Sequence, residues 1–295
     1  MKVRIGVGTG AAGLDGPALA RLGGDLVTLG FDSLWLPEVL TAPGIDPLVG
    51  LAWAGAANPT LKLGATMLLP GRNPVRLAGQ VGALDALSGG RLLLTFVPGM
   101  AGGAEAEAVG VPVPSRGAAI DEILPLLRRL WSGQPVAHDG PAGWFGEIAI
   151  SPVPVQDPFD VWLAGMARSS LERCGRLADG WLPSLCTPAE AERGRRVVEA
   201  SAAEAGRSIS PEHFGASIAY AREPLDARTE AGLVRRAGGR DLASLVPVGL
   251  PALADLVSAF VAVGFSKLVV RPLQSPAGWR RELEELAAAV GHLQT

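Results

Sequence analysis

Two stretches of the chain carry residue types suited to holding or moving charge. Gly165-Met166-Ala167-Arg168-Ser169 lies between an apolar run and a helical pattern. Backbone N–H groups that open a helix have no partner inside it, and the helix dipole is positive there. A phosphate could therefore rest on this turn, with the Ser169 hydroxyl as a further donor. The plainer reading, that Ser169 simply caps the helix, is compatible with the first, because a cap region is what an anion needs. Arg168 reads as a solvated side chain. Glu38 follows a short apolar run, 33–36, which places a carboxylate at or near the end of a strand. The chain has three histidines. His138 falls in a Pro- and Gly-rich stretch and reads as a surface-loop residue, His213 precedes a strand, and His292 lies in the last helical pattern. No metal-ligand cluster, G-x-S-x-G or recognisable pair of catalytic carboxylates is present, which argues against a hydrolase or isomerase.

The elements that must position these residues alternate. Short apolar or β-branched runs at 3–7, 33–36, 62–69, 92–97, 161–164, 180–185, 214–221 and 267–270 read as strands. Helical patterns lie between most of them. Asp46-Pro47 and Asn73-Pro74 pair an N-cap with proline at the first helical position. Thr187-Pro188-Ala189-Glu190 is a capping box. Ile120, Ile123, Leu124, Leu127, Leu130 and Trp131 share one face at 3.6-residue spacing, and Pro125 inside that pattern predicts a kink or a broken start. The stretch 134–158 has no clear period and reads as a long excursion over the barrel mouth, with room for a short hairpin.

Eight strands alternating with helices predict a closed (β/α)8 TIM-type barrel, one domain over 1–295. An open doubly wound sheet is the rival, but no G-x-G-x-x-G after the first strand runs directly into a helix. The length of 295 residues and 48% hydrophobic content suffice for one large core. A net charge of −3 gives no footprint for nucleic acid. The stretch 242–265 is interrupted by Pro247, Pro251 and Asp255 and reads as loop and buried helix, not a membrane span. Cys174 and Cys186 lack metal or redox spacing and read as buried reduced thiols of a cytoplasmic protein.

Several blocks occur in order along about residues 1–275. They are Gly30-Phe31-Asp32-Ser33-Leu34-Trp35-Leu36-Pro37-Glu38, Leu69-Pro70-Gly71-Arg72-Asn73-Pro74-Val75-Arg76, Leu84-Asp85-Ala86-Leu87-Ser88-Gly89-Gly90-Arg91, Asp121-Glu122-Ile123-Leu124 leading to Leu130-Trp131, and Ala178-Asp179-Gly180-Trp181-Leu182-Pro183. In these blocks the chain resembles the bacterial luciferase-like family of flavin- or deazaflavin-dependent oxidoreductases and monooxygenases. The resemblance implies a barrel with an insertion near its mouth and a small organic substrate. It also implies a cofactor at the C-terminal strand ends, either the deazaflavin coenzyme F-420, slightly preferred, or FMN. By the same resemblance Ala65, Thr66 and Met67 lie behind the cofactor ring, where the family often has a non-prolyl cis peptide or a bulge. An ordinary buried strand is the alternative there. Arg116 matches an arginine able to reach the cofactor phosphate, its alternative being a surface residue near a helix start. Gly165, Met166, Ala167 and Ser169 take the phosphate, and Glu38 is the candidate catalytic carboxylate.

The chain departs from the family at two places. Val39 follows Glu38 where many members have histidine, and Thr95-Phe96-Val97-Pro98-Gly99 is bulkier than the usual Gly-rich run, which should narrow the cofactor bed. These departures keep open a second reading, a non-catalytic cofactor- or small-molecule-binding protein on the same scaffold. Arg72, Tyr220, Arg222 and Arg271 lie at or just past strand ends and read as structural or rim residues within reach of a substrate or cofactor tail. The apolar helix 48–57 offers a face for a homodimer, or for burial inside the monomer.

Overall fold

The structure is a computed structural model that describes residues 1–295 except 11, 12 and 43. The barrel strands are β1 (Arg4–Gly8), β2 (Ser33–Pro37), β3 (Lys62–Leu68), β4 (Leu92–Val97), β7 (Val161–Leu163), β8 (Gly180–Trp181), β9 (Gly215–Tyr220) and β10 (Lys267–Pro272). They form one parallel sheet in the order β8-β7-β4-β3-β2-β1-β10-β9. Parallel bridges Trp181↔Phe214 and Ser184↔Ser217 join its two ends, so the sheet is a nearly closed barrel and the open doubly wound alternative fails. The helices around it are α1 (Gly16–Thr28), α2 (Pro47–Ala57), α3 (Pro74–Ser88), α5 (Arg116–Trp131), α6 (Arg168–Leu177), α7 (Pro188–Glu204), α9 (Leu250–Ala262) and α10 (Trp279–Val290).

The caps expected from sequence form. Asp46 accepts from Val49 N and Asn73 from Arg76 N, both at 3.0 Å. Thr187 and Glu190 complete a reciprocal capping box. Gly89 closes α3 in the left-handed conformation (φ 66°). Helix α5 runs unbroken through Pro125, so the expected broken start is absent. The sixth barrel strand is shorter than the expected 180–185. Pro183 has no N–H for the ladder, and Leu185 takes φ 49°, which ends an extended run. Helix α2 divides: Leu48, Leu51 and Ala54 are buried, whereas Val49 and Trp53 face outward. Both cysteines are free and buried, and burial pushes the Cys186 thiol up to about 12.

The 134–158 excursion does not cover the mouth. It contains the antiparallel hairpin β5 (Val136–Gly140) and β6 (Gly143–Ile148). It leaves α5 at its C-terminus, which lies at the N-terminal end of the barrel. Gln156 Nε2 donates to Leu92 O at the first residue of β4, and Asp85 near the end of α3 accepts from Val155 N and Gln156 N. The hairpin packs outside α5, where His138 hydrogen-bonds Glu122 at 2.9 Å and is mostly buried rather than a loose surface residue. The connections that do border the mouth follow β4 and β9. They carry α4 (Ala104–Ala108) and α8 (Ala227–Arg236), neither of which the periodicity predicts.

The barrel interior is built in layers. Outward residues of each strand join the main core with the helices. Inward residues form a separate cluster of Trp35, Leu182 and Val269 with Leu93 and Trp162. Glycines admit the two indoles. A Cβ on Gly64 would lie 2.1 Å from the Trp35 ring, and one on Gly180 2.4 Å from that of Trp162. Gly64→Ala is therefore expected to cost about 1–3 kcal/mol in urea unfolding, with an altered tryptophan fluorescence spectrum; an unchanged midpoint would mean that the indole has room to move. Below this layer Asp32 is clamped between Lys62 (3.0 Å) and Lys267, closing the N-terminal end.

Candidate functional site

Strand alternation decides which residues face the mouth. With Leu93 and Val269 inward, the next inward positions toward the C-terminal ends are Thr95 and Arg271. Thr66 pairs with Thr95 across the β3–β4 ladder and faces the same way. Ala65 and Met67 face outward into the main core, so one residue of that triplet reaches the mouth and two form the wall behind it. The triplet is regular strand, in register with Leu36 and Pro37 on one side and with Leu94, Thr95 and Phe96 on the other. The only cis peptide bonds among the described residues precede Pro152 and Pro158, so the expected cis bond or bulge at 65–67 is not there. Phe96 likewise turns outward and is fully buried, so it does not narrow the mouth as its size suggests.

Thr95 is fully buried and its hydroxyl has no hydrogen-bond partner among the described residues. A buried hydroxyl left unpaired is costly, and one aimed into a cleft is a place for a ligand's polar atom. Gly8 at the end of β1 and Gly10 just past it leave the adjoining wall bare beside the Arg271 side chain.

The turn after β7 opens α6. Gly165 has φ 118°, a conformation that favours glycine, and a Cβ there would meet Ser170 Cβ at 2.9 Å. Its carbonyl accepts from Trp181 Nε1 at 3.1 Å, which fixes the turn. The N-cap is Ala167, not Ser169, and no side chain caps the helix. The first N–H groups of α6 are thus left to solvent or to an anion, with Ala167, Arg168 and Ser169 exposed. Arg168 is solvated, as expected, and pairs with Glu172 one turn on.

Two expected site residues are placed as supports. Glu38 accepts from Leu68 N (2.8 Å) through one oxygen and pairs with Arg72 through the other. The backbone N–H of Glu38 donates to Thr66 O at 2.7 Å. The carboxylate therefore ties the rim of β2 to that of β3. Arg116 is only 2% exposed, which rules out the surface reading. It donates to the carbonyls of Val111 (3.0 Å), Pro98 (3.3 Å), Met100 (2.6 Å) and Ala106 (2.7 Å). Four of the five guanidinium donors are thereby occupied in holding the β4–α5 connection.

Sequence reasoning missed the residues that roof the mouth. Glu105 on α4 accepts from Leu40 N (2.9 Å), Thr41 N (3.0 Å) and Thr41 Oγ1 (2.8 Å), joining the β4 connection to the β2 connection. Burial raises this carboxyl, but those hydrogen bonds and the charge of Arg236 outweigh it and hold it below the usual range. Arg240 bridges Glu190 (3.0 Å) and Leu185 O (2.6 Å), pinning the β9 connection over the short β8 edge. The Gly-rich run around Gly99, Gly102 and Gly103 was the available signal for the first of these loops. None of the three histidines reaches the mouth: His213 meets Asp179 O at the far end of the barrel, and His292 follows α10.

The luciferase-like monooxygenase family model matches residues 4–255. An uncharacterized protein of Mycobacterium tuberculosis is 33% identical over 167 residues, 56% of this chain and 57% of that one. The oxygenase component of a flavin-dependent trigonelline monooxygenase from Acinetobacter baylyi is 29% identical over 134 residues, 43% of this chain and 36% of that one. The chain thus spans little more than half the length of the curated relatives it matches, or less. Its fold is that of a coenzyme F-420 dependent tetrahydromethanopterin reductase from Methanopyrus kandleri, with a TM-score of 0.81, 18% identity and full coverage of both chains. The relatives with named activities are oxidoreductases, so a non-catalytic binding role is not favoured. Among the described residues no helix is long and apolar enough to cross a membrane. The match over most of the length makes the chain a member of the luciferase-like monooxygenase family.

Proposed function

We propose that the protein is an oxidoreductase that uses a reduced flavin or deazaflavin, with coenzyme F-420 preferred over FMN, on a small organic substrate. The observation that carries this reading is the mouth itself. Thr95 presents an unpaired buried hydroxyl there, and the uncapped N-terminus of α6 lies at the adjoining strand. These are the donor types that a ring carbonyl and a phosphate require. When bound, the cofactor supplies reducing equivalents, as hydride or, with oxygen, for monooxygenation.

The chain's own residues then have these roles. Gly165, Met166, Ala167 and Ser169 offer backbone N–H groups and a hydroxyl to the phosphate. Thr66 and Thr95 meet the ring, with Ala65 and Met67 as the wall behind. Glu38 positions the rim through Leu68 and Arg72. Arg116 holds the loop beside the cofactor and does not touch its phosphate.

Titration with coenzyme F-420 and with FMN, each oxidised and reduced, followed by fluorescence, tests this. One of the two is expected to bind in the micromolar range. Ser169→Ala should weaken that binding roughly 10-fold, about one hydrogen bond to a charged group at its low end, with no change in melting temperature. Failure of all four forms to bind would sink the reading, and unchanged affinity in Ser169→Ala would remove the hydroxyl from the site.

A further inference from the structure

Arg271 stands apart from the other cations of the barrel interior. It occupies the third inward position of β10, above Lys267 and Val269. Lys267 is neutralised by Asp32, and at the rim Arg72 is neutralised by Glu38. Arg271 forms no ion pair among the described residues. Among the described residues the charge that acts on it is the like charge of Arg236, from the end of α8. Burial, with that neighbour, pulls its pKa down to about 10, so the guanidinium is still protonated at neutral pH. The wall beside it is open by design of the backbone. A Cβ on Gly8 would come 3.4 Å from the Arg271 Cβ, and one on Gly10 3.6 Å from Nη1.

A half-buried cation with no counter-charge is unfavourable, and a second cation nearby makes it more so. An oxyanion bound at Arg271 relieves this cost, and a guanidinium offers it a planar fork of donors. The position in the ring separates this site from the proposed phosphate site. From β7, which leads into α6, the ring passes β8 and β9 before it reaches β10. A cofactor anchored at α6 leaves the β10 wall to the substrate.

We propose that Arg271 anchors a carboxylate, sulfonate or phosphate group of the substrate, so that the protein acts on an anionic small molecule. The substrate assignment rests on the mouth being the active site, whereas the anion site itself does not depend on the cofactor.

The test is thermal unfolding of the full chain in millimolar inorganic phosphate and methanesulfonate, for wild type, Arg271→Met and Arg271→Lys, beside cofactor titration of each. Both anions should raise the wild-type melting temperature saturably. The apparent anion affinity should fall on the order of tenfold in Arg271→Met and far less in Arg271→Lys, while cofactor affinity is unchanged. An anion response that is the same in wild type and Arg271→Met overturns the proposal. Parallel loss of anion response and cofactor affinity in Arg271→Met assigns the guanidinium to the cofactor and overturns the substrate reading. An Arg271-dependent anion response in a protein that binds neither cofactor upholds the anion site and sinks the cofactor assignment instead. Should Arg271→Met not fold, phenylglyoxal modification of the wild type, mapped by peptide mass, decides. Phosphate must protect Arg271, and equal labelling with and without phosphate overturns the site.

Discussion

Arg116→Met is expected to lower the stability of the protein by about 2–4 kcal/mol in urea unfolding, and to expose the amides of residues 98–115 to hydrogen exchange. The wild-type guanidinium donates to four backbone carbonyls of that connection while only 2% exposed. A hydrogen bond to a charged group contributes about 1.5–3 kcal/mol. The four are not additive, and water can reach the carbonyls once the loop opens, so the total stays well below their sum. Cofactor affinity should fall with the loop. Arg116→Lys discriminates the two roles, because it keeps the charge but loses the fork. If Arg116 were a phosphate ligand, lysine would preserve much of the affinity. If it is a loop clamp, lysine will be nearly as unstable as methionine, and a Lys variant with wild-type exchange protection would refute the clamp.

Lys267→Met is expected to cost roughly 3 kcal/mol. Lys267 is 6% exposed, and its ammonium meets Asp32 at the closed end of the barrel. Removing one partner of a buried pair strands the other, at about 3–5 kcal/mol; Lys62, 3.0 Å from Asp32 and partly solvated, softens the loss. The double variant Asp32→Asn, Lys267→Met should recover most of it, since no buried charge is then left unpaired. A double variant no more stable than Lys267→Met alone would refute the pairing. Acid unfolding reports on the same cluster. Burial raises the Asp32 carboxyl, but the ammonium groups of Lys267 and Lys62 outweigh it and hold it below the usual 3.8. Between the folded value and 3.8 the unfolded chain binds the extra proton, so this contribution is fully present above 3.8 and is lost as pH falls through the folded pKa. Asp32→Asn should flatten the acid limb of the stability curve, and an identical limb would show that Asp32 does not set it.

Those two clusters mark how far the sequence can be read. The strand-and-helix alternation, the Asp46 and Asn73 caps, the Thr187 capping box and the Gly89 stop are local: each depends on residues within a turn or so of one another, and the chain states them directly. Eight apolar runs with helices between them leave few topologies, and the barrel is the one that closes. The family blocks are likewise runs of adjacent residues. Orientation and long-range pairing are not local. Whether Arg116 faces a ligand or a backbone, whether Thr95 or Phe96 faces the mouth, and whether the 134–158 stretch lies above the barrel or below it depend on strand parity and on partners tens of residues away.

The turn at Gly165 shows the boundary at one residue. A strand-to-helix junction able to receive an anion was legible as Gly165-Met166-Ala167-Arg168-Ser169. That the cap is Ala167, leaving the N–H groups without a side-chain partner, depends on φ 118° at Gly165 and on Trp181 holding its carbonyl from the next strand. Arg271 is the converse case. The sequence places an arginine at the end of a strand, where a rim residue is the ordinary expectation. Only the closed ring shows that, among the described residues, no carboxylate comes to meet it, because counter-charges are brought by elements distant in sequence. Local hydrogen bonds and apolar periodicity are written along the chain, whereas the sign of the field at a buried site is a sum over the whole fold.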